Sequence, residues 1–302
     1  MDTAATPRLT DIIRRAYTIA RRDLRACYNP DGIVAGRLHF NAYWARDGFW
    51  ALFGALALGD LQQALAQLTT FMRYQLATGR LPVRVEFVGH QLGGYDTLRT
   101  RPKVVGRAGA DLAQANGDDV AAERLNAAAA HVHDRLQIFW TGQYFSDWIR
   151  GSRRGGFSAD GNVLAILFQV ASEPQFQQIL AYIRARRLDT ATPLVTCDPV
   201  YPFWRVFPLY YLAGIPDYHR IMIWPWLGTL NAVGKYRLGD RTGAYADLAR
   251  IGEWYVRSNA VNEVYDRGGQ PIARRFYHAE VPFAWGAGVY VYAVHEVGLA
   301  EG

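Results

Sequence analysis

The chain has 302 residues, half of them hydrophobic and 14% aromatic, which suits a large packed core and excludes a disordered chain. Its formal charge of +6 is almost all arginine, with lysine only at Lys103 and Lys235. The arginine pairs at 14–15, 21–22, 153–154, 186–187 and 274–275 are scattered instead of forming one basic block, which argues against a nucleic-acid partner. No uncharged apolar run is long enough to span a membrane, and the arginine-studded N-terminal stretch lacks the layout of a secretion signal. Cys27 and Cys197 have no metal-type spacing. A cytoplasmic protein with no membrane association, metal or cofactor is expected.

In chain order, residues 8–28 read as a first helix with Ile12, Ile13, Ala16, Tyr17, Ala20 and Leu24 on one face. Asn29-Pro30-Asp31-Gly32 ends it. Next comes NAYWARDGFWALFGALALGD, residues 41–60. Here the aromatic and charged cluster Tyr43-Trp44-Ala45-Arg46-Asp47 enters a helix whose Phe49, Leu52, Phe53 and Leu56 share a face. Gly59 suits a helix end, and Asp60 can cap the next helix, which runs over 60–77 with Leu61, Leu65, Leu68 and Met72 inward. Residues 79–105 lack helical period and read as a long ordered loop. An alanine-rich helix follows over 118–139, then an aromatic and charged loop over 143–156. Helices are expected over 158–171 and from Ser172-Glu173-Pro174 to residue 187. A proline-punctuated loop covers 189–218. A helix pair at 222–238 and 240–258 precedes a loop holding Glu263 and Gly268-Gly269, and a final helix runs over about 282–297.

Leu58-Gly59-Asp60 and Leu238-Gly239-Asp240 repeat one helix–Gly–Asp–helix junction, with Asn116-Gly117-Asp118 a looser third. Short helix–helix connections alternate with long aromatic-rich loops, and no strand-alternating run of useful length is visible. The pattern predicts a single all-α domain over 1–302, a toroid or solenoid of helical hairpins whose long loops gather at one end.

Those loops carry Trp44, Arg46 and Asp47; Asp147 and Trp148; Tyr218, His219, Trp224 and Trp226; Glu263, Tyr265 and Asp266; His278, Glu280 and Trp285. Carboxylates interleaved with tryptophan and tyrosine are the residue types a sugar site requires. Aromatic faces pack on the C–H faces of a pyranose, while carboxylates and arginine bind its hydroxyls. The bland reading makes Arg46 and Asp47 a structural ion pair and the aromatics rim packing. The seven histidines show no ligand spacing, so no metal site is predicted.

Residues 43–60 resemble the early helix of the six-hairpin, (α/α)6-barrel glycosidases, a group that includes glucoamylases, amylo-α-1,6-glucosidases, mannosylglycerate hydrolases and neutral invertases. DYHRIMIWPWLGTLNAVGKYRLGD resembles their helix start with YHN-x-x-IWP. NEVYDRGGQPIARRFYHAEVPFAWGAGVYVYAV resembles their closing stretch, and YFSDWIRGSRRGGFSADGNVLAILFQVAS fits the intervening Asp-Trp and Gly-Asn segments. The similarity is patchy but ordered over roughly residues 10–300.

The resemblance implies an (α/α)6 toroid, short enough for part of one hairpin to be missing, and an inverting glycoside hydrolase acting on a small α-linked glucoside or related sugar. It implies Glu263 as general base, Arg46 and Asp47 as a clamp on sugar hydroxyls, and Trp224 and Trp285 as pocket aromatics. Tyr43, Trp44, Trp148 and His219 complete the expected substrate contacts, and Asn262, Tyr265 and Asp266 are placed to orient Glu263. Glu280 is a rival base. The general acid is where the chain departs from the group: the matching region 101–119 contains no aromatic residue. Asp111 is the carboxylate placed most like that acid, with Asp147 and Asp96 as alternatives. Trp148 could supply Asp147 with the enclosed setting a general acid needs. Loss of the acid would leave a non-catalytic carbohydrate-binding protein, and a toroid isomerase would use paired histidines, for which His219 and His278 are candidates. Inverting hydrolysis asks for a second carboxyl about 6.5–9.5 Å from the base. The oligomeric state is open.

Overall fold

The computed structural model describes residues 5–75, 81–88, 91–95, 123 and 133–300. Its helices are α1 (Ala5–Ala26), α2 (Ala45–Ala57), α3 (Leu61–Arg73), α4 (Ala159–Leu167), α5 (Glu173–Ala185), α6 (Pro208–Leu212), α7 (Pro225–Arg237), α8 (Arg241–Ser258) and α9 (Ala284–Glu296). Two compact units share the chain. One comprises Met1–Ile19, Arg135–Ala279 and Ala293–Gly302; the other comprises Ala20–Asp134 and Glu280–Tyr292. Among the described residues no helix is long and apolar enough to cross a membrane.

In the second unit α2 carries the expected apolar residues, with Phe49 and Leu52 buried, and it also buries Trp50 and Ala51. A helix apolar on several faces lies inside, and α2 does so against α9. A Cβ on Gly54 would stand 2.5 Å from Gly288 Cα, and one on Gly288 would stand 2.6 Å from Ala51 Cα. The two backbones touch because both positions lack side chains.

The inward face predicted for α3 is corrected. Leu61, Leu65 and Met72 are exposed, while Ala64, Gln67, Thr70 and Phe71 are buried. The cause is a demand for hydrogen bonds. The turn 28–33 presents backbone groups that must be paired once buried. Gln67 Oε1 accepts from Ile33 N–H (2.6 Å), Gln63 donates to the carbonyls of Asn29 and Gly32, and Thr70 donates to that of Asp31. Leucine could satisfy none of these groups, so the polar stripe faces in. Asp60 does not cap α3 either. It accepts from Arg25 through two nitrogens (3.0 and 2.9 Å) and from the Tyr28 hydroxyl (2.9 Å).

The long loop expected over 79–105 contains strand structure within its described residues. Arg84–Val88 pairs antiparallel with Gln91–Tyr95, and Arg84 and Val85 pair in turn with Trp44 and Tyr43. The expected helix over 118–139 lies largely outside the described residues and ends in a 3-10 turn at Gln137–Phe139.

In the first unit α7 and α8 form the expected hairpin. Gly239 turns at φ +85°, and Asp240 caps α8 by accepting from Gly243 N–H at 2.9 Å. Helix α7 is buried throughout 225–234. Lys235 stands between Asp189 and Asp247, 2.6 Å from each, and fastens α7 to α8 and to the loop after α5. Phe157–Ser158 pairs with Cys197–Asp198 at the head of α4. The proline-rich stretch 189–218, expected as loop, also includes the 3-10 turn Phe203–Arg205 and α6.

Candidate functional site

In the first unit the expected base lies in an aromatic enclosure. Ile223 and Tyr265 exchange backbone hydrogen bonds (2.8 and 2.9 Å), and this pairing sets the start of α7 beside the turn that carries Glu263. Glu263 is 1% exposed. Tyr218 donates to its Oε1, and Tyr277 donates to its Oε2 at 2.5 Å. Burial and the adjacent Glu263 carboxylate raise the Tyr218 hydroxyl well above the usual tyrosine range, so Tyr218 remains a proton donor. Its ring meets Trp224 and Tyr277 edge to face, with centroids 4.9 and 5.6 Å away. His219 stacks on Trp224 at 5.6 Å and shares a 3.1 Å hydrogen bond with the Tyr210 hydroxyl. The structure thus brings together Glu263, His219 and Trp224 from the predicted set and adds Tyr277, which sequence reasoning missed. An aromatic fourteen residues after Glu263 has no local periodicity to mark it.

The residues expected to orient Glu263 have other partners. The Tyr265 hydroxyl accepts from the backbone and side chain of Asn262 (3.1 and 3.2 Å), and Asp266 accepts from Gln270 N–H (2.9 Å). They shape the turn around the carboxylate.

Asp147 lies in the same unit. It is exposed and accepts from the Tyr201 hydroxyl at 2.8 Å. With Asp147 exposed, Trp148 does not enclose it, and the guanidinium of Arg205 lies over the Trp148 ring at 4.6 Å. Asp111 and Asp96 lie outside the described residues.

In the second unit Arg46 and Asp47 occupy the first turn of α2. Asp47 is 5% exposed, its Oδ2 lies 3.4 Å from Arg46 Nε, and that oxygen accepts no hydrogen bond from the described residues. Burial raises its carboxyl above the usual range, against the pull of Arg46. Arg46 is exposed, with its guanidinium 5.0 Å over the ring of Trp285. Trp285 stacks in parallel on Trp50 at 6.2 Å. Trp44 lies under Arg84 at 4.9 Å, its buried Nε1 donates to none of the described residues, and Tyr43 beside it is fully buried. Tyr43, Trp44, Arg46, Asp47 and Trp285 therefore gather at the entry to α2.

Glu280, the rival base, is in this second unit and is fully buried. Its carboxylate accepts from the backbone N–H groups of Leu38, His39 and Phe40 (2.5, 3.0 and 3.1 Å), with His39 Nδ1 3.0 Å away. A Cβ on Gly36 would collide with its side chain. These contacts make Glu280 the post on which the 36–40 turn is folded.

No protein-family model matches the chain, and no curated protein matches it. Solved structures do. A GH63 mannosylglycerate hydrolase from Thermus thermophilus, in complex with Tris, matches with a TM-score of 0.67 at 12% identity, over 91% of this chain and 99% of that one. A protein from the same organism described as an uncharacterized conserved protein matches at 0.64 and 14% identity, over 92% and 99%. A wild-type glycosidase matches at 0.50 and 17% identity, over the whole of both chains. The fold is glycosidase-like and of the six-hairpin type. It is the all-α toroid class expected from the sequence.

Proposed function

We propose that the chain is a glycoside hydrolase acting with inversion on a small α-linked glucoside or related sugar, with Glu263 as general base. The observation that carries this reading is the clamp on Glu263: a carboxylate withdrawn from solvent, its two oxygens held by Tyr218 and Tyr277, on a fold shared with glycosidases. A base that takes a proton from water must keep one orientation through the reaction, and two hydroxyl donors fix the plane of the carboxylate. Inversion then requires a second carboxyl to protonate the leaving oxygen, a role assigned to Asp111 or Asp147.

The cluster at the head of α2 supports a sugar ligand. Among the described residues, a buried carboxylate oxygen with only the 3.4 Å contact to Arg46, a buried indole N–H without an acceptor, and a guanidinium stacked on tryptophan are groups that ring hydroxyls would satisfy. Arg46 and Asp47 are assigned the hydroxyl-binding role, with Tyr43, Trp44 and Trp285 around them. His219, Trp224 and Trp148 are assigned further substrate contacts.

A carbohydrate-binding protein without turnover is the second reading, favoured by the exposure of Asp147 on its loop. Release of free sugar from maltose, isomaltose, trehalose, sucrose and mannosylglycerate separates the two. The hydrolase reading expects turnover that Glu263→Gln abolishes. Thermal protection by one of these sugars, with no turnover by either protein, would establish the binding reading.

A further inference from the structure

The segment 199–216 contains no acidic residue and one cation, Arg205. Along it Phe203, Trp204, Phe207 and Leu212 stand 63%, 72%, 61% and 77% exposed. A run of large apolar side chains presented to water marks a surface that binds something. This run is also braced. The rings of Phe203 and Trp204 meet edge to face at 5.1 Å, the Tyr211 hydroxyl donates to the Phe203 carbonyl at 2.8 Å, and Phe207 meets Tyr210 at 6.3 Å.

Both ends of the segment reach the carboxylates discussed above. Tyr210 packs on Tyr218 with centroids 5.6 Å apart, and Tyr218 donates to Glu263. At the other end Tyr201 donates to Asp147. One short stretch of chain therefore touches the partner of the assigned base and a candidate acid, and the exposed Phe203, Trp204 and Phe207 lie in sequence between the two contacting tyrosines.

We propose that this strip receives the aglycone of the glycoside, and that the aglycone is an apolar aryl or alkyl group instead of a second sugar. The inference rests on the hydrolase reading of Glu263. A sugar stacked on an aromatic also needs donors and acceptors for its hydroxyls. Most side-chain polar groups of this strip are engaged, leaving the Trp204 indole N–H as one donor: the Tyr211 hydroxyl meets a backbone carbonyl, Arg205 the Trp148 ring, Tyr201 Asp147 and Tyr210 His219. An alkyl chain or aryl ring asks only for apolar area, which Phe203, Trp204, Phe207 and Leu212 supply.

The test is the rate on methyl, butyl, hexyl and octyl α-D-glucosides, all below micelle formation, for wild type, Trp204→Ala and Phe207→Ala. Each methylene buried on the strip should raise kcat/KM by about two- to fourfold, and the ratio of octyl to methyl should fall at least tenfold in Trp204→Ala. A wild-type rate that does not change with chain length overturns the inference and leaves hydrolysis standing. Binding of octyl glucoside to Glu263→Gln, followed by tryptophan fluorescence, gives a readout that needs no turnover. If no glucoside is hydrolysed, the hydrolase reading fails by itself, and octyl binding lost in Trp204→Ala still supports an apolar ligand on the strip. Octyl glucoside binding no more tightly than methyl, or a wild-type dimer that Trp204→Ala dissociates, overturns the inference.

Discussion

Tyr277 donates its hydroxyl to one oxygen of Glu263 at 2.5 Å while Tyr218 donates to the other, so the carboxylate is fastened from both sides inside an aromatic wall. Either tyrosine changed to phenylalanine leaves a buried charged oxygen without that donor. A hydrogen bond to a charged group contributes about 1.5–3 kcal/mol, and Tyr218→Phe and Tyr277→Phe should each lose an amount in that range in urea unfolding. Losses below about 0.5 kcal/mol for both would mean the clamp is not formed.

The two glutamates near the C-terminus should behave as opposites. Glu280 accepts from three successive backbone N–H groups, so Glu280→Ala strands them and should cost about 3–5 kcal/mol or prevent folding. Glu263→Gln keeps an oxygen for one tyrosine and gives up the charge-assisted bond to the other, so it should stay folded with a loss of no more than about 1.5–3 kcal/mol while losing turnover. A stable Glu280→Ala with intact circular dichroism would contradict the structural role given to Glu280.

Gly54 and Gly288 set the approach of α2 to α9. Gly54→Ala places its methyl 2.5 Å from Gly288 Cα, a backbone atom that cannot swing aside, so the helices must separate. Overpacking of this kind costs about 1–3 kcal/mol. Gly161→Ala in α4 is the control. Its Cβ meets nothing within 4 Å, and the change should raise stability by about 0.5–1 kcal/mol through helix propensity.

Much of this architecture was legible in the sequence because it rests on local pattern. The apolar spacing of α1 and α2 and the Gly239–Asp240 junction are each read within a few residues. The features that escaped depend on partners far along the chain. The inward face of α3 is decided by backbone groups of residues 29–33, more than thirty positions earlier, so the better hydrophobic stripe lost to the better hydrogen bonds. The strand pair 84–95 is held against Tyr43-Trp44 across a similar gap. Glu263 is singled out by the resemblance of its stretch to glycosidases, whereas its partner Tyr277 carries no mark that sets it apart from the other seventeen tyrosines.

The corrected face of α3 can be checked directly. Gln67→Leu removes the acceptor for Ile33 N–H and should cost about 1–3 kcal/mol, although it replaces a polar side chain by an apolar one. Leu65→Lys, on the exposed side, should change stability by less than about 0.5 kcal/mol. The reverse order in a denaturant series would restore the face expected from the apolar spacing.

Asp47 predicts a pH dependence of stability. Burial raises its folded carboxyl above the ordinary 3.8, so between that value and the raised one the folded chain holds a proton the unfolded chain has released. The contribution is full below pH 3.8 and is lost as pH rises through the folded value. Asp47→Asn removes the loss and should be more stable than wild type at neutral pH, with the gap closing toward acid. Melting temperatures of both proteins across this range test it. A gap that widens toward acid would mean that Arg46 outweighs burial. If Asp47 binds sugar hydroxyls, the same variant should lose affinity as it gains stability.

The most direct test of the account is sugar release by wild type and Glu263→Gln from alkyl α-glucosides, α-linked disaccharides and mannosylglycerate, with the anomer of the first product recorded. The account predicts turnover by wild type, inverted configuration in the product and a rate lower by about 10²–10⁴-fold in Glu263→Gln, the range a positioned base contributes. A Glu263→Gln rate within about tenfold of wild type, or a product that retains its configuration, would contradict Glu263 as the base of an inverting hydrolase.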